Sequence, residues 1–94
     1  MILSFVDKET EKIFNGEFSK KLPIDIQSRA LRKLMTIDQS QSIECLFEPT
    51  SNHLEKLQGE ENRWSIRINK QWRICFTPIN SGQDYIDVEI VDYH

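Results

Sequence analysis

The 94-residue sequence is poor in the residues that define several large classes of protein. It contains two cysteines, Cys45 and Cys75, without a CxxC pattern, so a disulfide scaffold is excluded and a metal site is not expected. No apolar run approaches the ~20 residues that a membrane-spanning helix needs, and the opening MILSFVDKE lacks the charged and apolar regions of a secretory signal. We therefore expect one small cytoplasmic domain over residues 1–94, with both cysteines in or near its core.

An excess of basic residues is also missing. Lysine and arginine number 12 against 15 aspartates and glutamates, and the formal net charge of −3 argues against nucleic-acid binding through the overall field. Basic residues are nevertheless concentrated between His53 and Arg73, whereas no lysine or arginine follows Asp84. We therefore expect any phosphate-binding site to be local.

Two helices are predicted in the first half of the chain. Asp7 suits an N-cap and Gly16 a helix end, which favours a short helix over residues 8–15. A second helix is predicted over residues 24–37, because apolar residues recur there at intervals of three and four behind Pro23, which suits a first turn. The positions expected to be buried are Ile24, Ala30, Leu31, Leu34, Met35 and Ile37.

The other side of this second helix carries Arg29, Arg32 and Lys33. Charged stripes of this kind are most often a solvated surface, and we expect the same here. Beyond the helix, Ser42 is predicted to cap a short third helix, and residues 48–53 are predicted to form a loop.

Strand periodicity dominates the last third of the chain. Apolar and polar residues alternate over residues 64–68, again from Trp72 until Thr77-Pro78, and again in the terminal YIDVEIVDYH. A turn is predicted at Asn80-Ser81-Gly82, between the last two of these strands. The apolar face is expected to hold Trp64, Ile66, Ile68, Trp72, Ile74, Phe76, Ile86, Val88 and Ile90.

The order of these elements predicts the fold class. A short strand at Ile2–Phe5, then helices, then three consecutive strands favour an α+β fold with the helices on one face of a small antiparallel sheet. The apolar face of the strands is expected to meet the second helix. The other face is expected to be open, and it carries Arg67 and Arg73.

Several motifs of the chain are specific in combination. Leu54-x-x-Leu57-x-Gly59 is followed by WSIRIN, WRICF and a terminal VEIVDYH. Together they resemble the HigB branch of the RelE toxins, closely from Leu54 to His94 and more loosely over the N-terminal segment and helices. The resemblance implies a RelE-like, microbial-ribonuclease-like fold and cleavage of messenger RNA in the ribosomal decoding site, with no metal or cofactor. It also implies neutralisation by a HigA-like helix-turn-helix antitoxin, through which alone operator DNA would be contacted.

The resemblance also implies which residues form the catalytic site. The family's arginine and its terminal Asp-Tyr-His map onto Arg73, Asp92, Tyr93 and His94. Metal-free cleavage needs a base near the 2′-hydroxyl, an acid near the leaving 5′-oxygen and cations on the phosphate oxygens. An arginine fork suits a phosphate, and an imidazole titrates near neutrality. The candidate phosphate-binding residues are Lys56, Arg63, Arg67 and Lys70.

Other interpretations of these residues stay open. Arg73 can instead form a salt bridge with Asp87 or Glu89 across the sheet. A terminal Asp-Tyr-His can be a frayed end, and His53 can be a solvated loop residue.

One position departs from the family pattern. Some members carry a histidine just before the turn that here is Leu57-Gln58-Gly59, and the matching position is approximately Glu55. His53 lies two residues earlier, and the sequence does not decide which of the two takes the role of the histidine.

Two other functions remain possible on the same scaffold. One is a non-nucleolytic inhibitor that acts by protein contact, as the ParE toxins do on gyrase. The other is a degenerate toxin that only binds its antitoxin.

Overall fold

The computed structural model describes residues 1–93 and confirms the α+β class. Two α-helices precede one antiparallel sheet of four strands in the order β1-β2-β3-β4. Within these residues, neither helix is long and apolar enough to cross a membrane. The helices are α1 over Lys8–Phe14 and α2 over Ile24–Gln39, and the strands are β1 over Glu55–Lys56, β2 over Trp64–Arg67, β3 over Trp72–Ile79 and β4 over Asp84–Asp92. Short 3-10 turns lie at Ile43–Phe47, Thr50–Asn52 and Asn80–Gly82.

The two predicted helices form close to their predicted limits. The Asp7 carboxylate accepts a hydrogen bond of 2.7 Å from the backbone N–H of Thr10, which caps α1. Gly16 follows the helix at φ +81°, a left-handed conformation that lets the chain turn away. Local capping chemistry therefore sets both ends of α1.

The buried face of α2 differs from the predicted one. Ile24 and Met35 are 73% and 45% exposed, so the prediction that they are buried is wrong. Since a helix turns by about 100° per residue, these two positions lie toward the side of the helix opposite the stripe that meets the sheet. The buried apolar residues of that stripe are Ile26, Ala30, Leu34 and Ile37.

The N-terminal segment is not a regular strand, so the prediction of one at Ile2–Phe5 is wrong. It runs parallel to β4 but forms only two isolated bridges, Ile2 with Tyr85 and Phe5 with Val88. A bulge in β4 lies between these bridges and breaks the regular spacing of the hydrogen-bonding groups there.

The bulge also changes which side chains of β4 face the core. Across this interval β4 holds one residue more than β3, and Asp87 takes up the extra length at φ +53°. Tyr85 and Val88 are therefore both fully buried although they are three residues apart. Ile86, which the simple alternation predicts on the core face with Val88 and Ile90, is only half-buried.

The strand β3 is longer than predicted, because it continues through Pro78 to Ile79. Pro78 pairs with Tyr85 of β4. On its other side, β2 begins only at Trp64, opposite Phe76, so the missing N–H of the proline costs no ladder bond there.

The face of the sheet opposite α2 is not open, contrary to the prediction. Ser65, Arg73 and Cys75 on that face are 0%, 7% and 3% exposed. The short strand β1, which the sequence did not indicate, extends the sheet beside β2. The turn that precedes β1 contacts β2, and the His53 carbonyl oxygen accepts a hydrogen bond from Arg73. This segment therefore closes part of the face that carries Arg73.

Candidate functional site

Arg73 is the most constrained of the predicted catalytic residues. Its Nε donates to Ser65 Oγ at 2.9 Å, and its Nη2 donates to the carbonyl oxygens of His53 at 2.5 Å and Ser65 at 3.4 Å. These bonds fix the plane of the guanidinium within a nearly buried site. Nη1, which has no partner among residues 1–93, is the nitrogen that can meet a phosphate oxygen.

The two acidic residues considered as alternative partners of Arg73 contact Arg63 instead. Arg63 Nη2 lies 2.9 Å from Glu89 Oε1, and its Nη1 donates to the backbone carbonyl of Asp87 at 2.7 Å. Two further glutamates line the same hollow of about 460 Å³. Arg63 was a candidate for phosphate binding, but it lies among carboxylates that repel a phosphate.

The predicted catalytic residues at the end of β4 do not all lie on the same side of the strand. The centroid of the Tyr93 ring lies 5.7 Å from Arg73 Cζ, and Tyr93 is 44% exposed. Asp92, the last residue of β4, alternates to the opposite face, where its Oδ2 accepts a hydrogen bond of 3.2 Å from Gln71 Nε2. His94 lies outside the described residues. Arg73 and Tyr93 are therefore brought together, and Asp92 is on the other side of the strand.

A basic cavity of about 560 Å³ lies between α2 and the turn that links β2 to β3. We call it the basic slot. No carboxylate lines it in the described part of the chain, so its positive charges are not neutralised locally. Two of the candidate phosphate-binding residues, Arg67 and Lys70, contribute to it. The full lining is Arg29, Arg32, Lys33, Ser51, His53, Arg67, Ile68, Asn69 and Lys70.

His53 connects the basic slot to Arg73. Its carbonyl oxygen holds the Arg73 guanidinium, and its ring Nε2 lies 3.1 Å from Arg67 Nη1. A guanidinium only donates hydrogen bonds, so this contact is a hydrogen bond in the tautomer that carries its proton on Nδ1. Glu55, the other candidate for the family's histidine position, is exposed in β1 and does not line the slot.

The sequence did not indicate that the charged stripe of α2 lines the slot. Arg29 and Arg32 are exposed, as expected of a solvated surface, and Lys33 is half-buried. Arg29 Nη1 donates to the carbonyl oxygen of Ile68 at 3.2 Å, which ties α2 to the end of β2. Lys33 Nζ donates to Oδ1 of the buried Asn52. Burial and the nearby charges of Arg29 and Arg32 lower the pKa of Lys33. The spacing of the three basic residues was the only signal, and it does not say what they face.

The remaining predicted residues lie away from this region. Lys56 Nζ is 6.0 Å from the centroid of the Trp64 ring, at the outer edge of the sheet.

Cys75 is buried as expected, whereas Cys45 is exposed, contrary to the prediction. Among residues 1–93, no group of three or more histidine, cysteine, aspartate or glutamate side chains is placed to hold a metal ion.

Comparison with known proteins identifies the family. The family model described as the RelE-like toxin of the type II toxin–antitoxin system HigB matches residues 3–94. Toxin HigB-1 of Vibrio cholerae serotype O1 is 37% identical over 78 residues, which covers 81% of this chain and 82% of that protein. Endoribonuclease HigB of Proteus vulgaris is 34% identical over 95 residues, which covers 100% of both chains. The chain therefore belongs to the HigB-like family, the RelE-like toxins of type II toxin–antitoxin systems.

Proposed function

We propose that this HigB-like toxin is a ribosome-dependent endoribonuclease that cuts messenger RNA without a metal ion and so inhibits translation. The observation that carries the proposal is the juxtaposition of Arg73, Tyr93 and His53, next to the basic slot. The relative from Proteus vulgaris that is named an endoribonuclease aligns over its whole length, which supports the same class of reaction.

The reaction begins with attack of an RNA 2′-hydroxyl on the adjacent phosphorus. The O2′–P bond forms while the P–O5′ bond breaks, a base takes the 2′-hydroxyl proton, and an acid protonates the leaving 5′-oxygen. Negative charge builds on the non-bridging oxygens, where fixed cations stabilise the transition state. The protein therefore has to supply one base, one acid and at least one rigid cation.

Arg73 is the rigid cation in this proposal. Its Nε and Nη2 are held by protein oxygens, so the guanidinium loses little freedom when Nη1 binds a phosphate oxygen. Arg67 lies directly opposite Arg73 in the pairing of β2 with β3 and adds a second positive charge. Two like charges side by side repel each other, and an anion between them relieves the repulsion.

His53 is the proposed base, because its ring Nε2 lies beside the Arg67 guanidinium, where only the tautomer protonated on Nδ1 can accept a hydrogen bond. A phosphate that draws Arg67 toward itself frees this lone pair for the 2′-hydroxyl. Tyr93 offers an exposed ring on which an unstacked RNA base can lie. His94 is retained as the acid on chemical grounds alone, and Asp92 is assigned to fixing the chain end through Gln71.

The partners follow from the type II system. The antitoxin is proposed to be a HigA-like helix-turn-helix protein, with operator DNA reached only through it. The ribosome presents the messenger RNA, which agrees with the net charge of −3, since a net negative chain repels free RNA at long range. The reaction then takes place in the cytoplasm.

The proposal is tested by inducing the toxin with and without its antitoxin and mapping the 5′ ends of cellular transcripts. We expect growth arrest and new ends inside translated messages, both abolished by the antitoxin. DNA breaks without new transcript ends would instead identify a ParE-like inhibitor. Normal growth would identify a chain that only binds its antitoxin.

The assignment of Arg73 is tested with Arg73→Lys in the same experiment. Lysine keeps the positive charge but lacks the planar fork, so the new transcript ends should fall by on the order of tenfold or more. Binding to the antitoxin, measured in parallel, checks that the variant is folded. A fully active, folded Arg73→Lys would show that this guanidinium does not act on the phosphate.

A further inference from the structure

The basic slot concentrates positive charge far beyond what the chain as a whole carries. Five of the 12 lysines and arginines line it, while the net charge of the chain is −3. Within residues 1–93, none of the 15 acidic residues lines it. Like charges at such short range destabilise a folded chain unless an anion is bound between them.

Three of the five cationic side chains of the slot are held by hydrogen bonds to the protein. Arg29 bridges to the Ile68 carbonyl oxygen, and Arg67 Nε donates to the Asn69 carbonyl oxygen at 3.2 Å. Lys33 is held by Asn52, a residue that is 0% exposed. Asn52 is itself fixed, because its Nδ2 donates at 3.2 Å to two backbone carbonyl oxygens of the preceding segment. The charges of Arg29, Lys33 and Arg67 are therefore held at defined places, whereas those of Arg32 and Lys70 are on exposed side chains.

The dimensions and position of the slot favour a chain of phosphates over one small anion. A cavity of about 560 Å³ is in the size range of a site for a whole small molecule. One of its lining residues, His53, touches Arg73 through its carbonyl oxygen. The slot and the site of Arg73 therefore share one residue, His53.

We propose that Arg29, Arg32 and Lys33 of α2 are positioning residues that bind RNA backbone phosphates beside the scissile one. They form one wall of the slot, and Arg67 and Lys70 form the other. Their contribution to cleavage rests on the proposed function above, but their binding of RNA does not. They act on substrate affinity and leave the chemical step at Arg73 unchanged.

The test compares two triple variants that remove the same charge. The first triple variant removes the positive charges of one wall of the slot by Arg29→Gln, Arg32→Gln and Lys33→Gln. The control changes the exposed Lys8, Lys20 and Lys21 to glutamine. Binding of a fluorescein-labelled oligouridylate is measured by anisotropy over a series of salt concentrations. For a single strand, three lost phosphate contacts should reduce the slope of log K against log salt by about 2. The control should keep the slope of the original chain.

A second readout separates positioning from chemistry. In cleavage of messenger RNA on purified ribosomes, the slot triple should raise KM by roughly tenfold or more with kcat nearly unchanged. If the glutamine triple does not unfold cooperatively, the single variant Arg32→Glu replaces it, since Arg32 is exposed. Arg29→Lys with Arg32→Lys, which keeps the charge, should restore most of the salt slope.

Equal salt slopes for the two triples would overturn the inference, whatever the original chain does on ribosomes. Unchanged RNA binding with lost antitoxin binding would also overturn it, because the slot would then be a protein-docking surface. Conversely, a reduced slope in the slot triple, with no cleavage by the original chain, would support the RNA site and reject the proposed function.

Discussion

The Arg73 guanidinium on β3 and the Tyr93 ring, directly after the end of β4, lie 5.7 Å apart. The backbone N–H of Tyr93 donates to the Gln71 carbonyl oxygen at 2.5 Å, which anchors position 93 beside β3. A cation over an aromatic face is stabilised by the ring's negative surface. The pair therefore offers a fixed charge for a phosphate and an exposed ring for a base in one place.

This geometry predicts different outcomes for two substitutions of Tyr93. Tyr93→Phe keeps the ring, so cleavage of messenger RNA on ribosomes should stay within about threefold of the original. Tyr93→Ala removes the ring and should cost roughly tenfold or more, since one base stacked on an aromatic side chain contributes about 1–3 kcal/mol. If Tyr93→Phe were as inactive as Tyr93→Ala, the phenol proton rather than the ring would be the functional group.

A second prediction concerns proton transfer by His53. His53→Gln should slow cleavage by roughly 10²-fold, because a glutamine side chain cannot take the proton of the 2′-hydroxyl. The exposed neighbour Glu55, which does not line the slot, provides the matched control Glu55→Gln. The reverse result, with Glu55→Gln inactive and His53→Gln active, would transfer the role of the base to Glu55.

The fold was predictable wherever a few neighbouring residues decide the structure. The cap at Asp7 and the alternation through Trp72 and Ile74 act locally, and both correspond to elements of the structure. The bulge at Asp87 and the strand β1 depend on pairing with residues far along the chain. No local sequence pattern indicates them. The predictions that Ile86 faces the core and that the face carrying Arg73 is open were therefore wrong.

The candidate site shows the same division. Motif resemblance predicted one site from Arg73, Asp92, Tyr93 and His94. The structure places Arg73 and Tyr93 together and Asp92 on the other side of β4, and His94 lies outside the described residues. The basic slot has walls from α2 and from the β2–β3 turn, and the bond from Arg29 to Ile68 spans 39 residues. Whether a charged helical stripe faces solvent or another basic surface is decided by docking, which composition and spacing do not encode.

A third prediction concerns stability at alkaline pH. The Ser40 hydroxyl donates to the Ser42 carbonyl oxygen, so the buried Tyr85 hydroxyl donates to Ser40 Oγ over 2.7 Å. Burial raises the pKa of Tyr85 and of the Cys75 thiol. Both groups ionise more readily in the unfolded chain than in the folded one. Their contribution to the free energy of unfolding is therefore complete below their ordinary pKa values, and it is lost as the pH rises through their raised pKa values.

Urea unfolding between about pH 7 and pH 11 measures this loss. The original chain should lose stability progressively above about pH 8.5, first through the thiol and then through the phenol. Tyr85→Phe should cost about 1 kcal/mol at neutral pH for the lost hydrogen bond but decline less at the alkaline end. Parallel curves for the two proteins would contradict the assignment to Tyr85.

A fourth prediction contrasts two glycines with nearly the same backbone conformation. Gly82 has φ +83° and Gly16 has φ +81°. A Cβ at Gly82 would lie 2.7 Å from the backbone nitrogen of Ile43, whereas a Cβ at Gly16 meets nothing within 4 Å.

Gly16→Ala should therefore cost only the strain of the left-handed conformation, about 1 kcal/mol. Gly82→Ala adds a backbone clash and should cost roughly 2–4 kcal/mol, measured as the shift in the urea midpoint. Equal midpoints for the two variants would show that the contact between the Asn80–Gly82 turn and Ile43 is not close in solution.

The single additional residue at Asp87 determines which face of the sheet each later side chain of β4 lies on. Deleting one residue between positions 87 and 92 would exchange the two sides of the strand, so that a carboxylate rather than an aromatic ring would sit against the Arg73 guanidinium. Deleting two would restore the ring but shorten the strand. Among relatives of this toxin, length changes in this stretch should therefore come in even steps wherever an arginine and a tyrosine share the reaction centre.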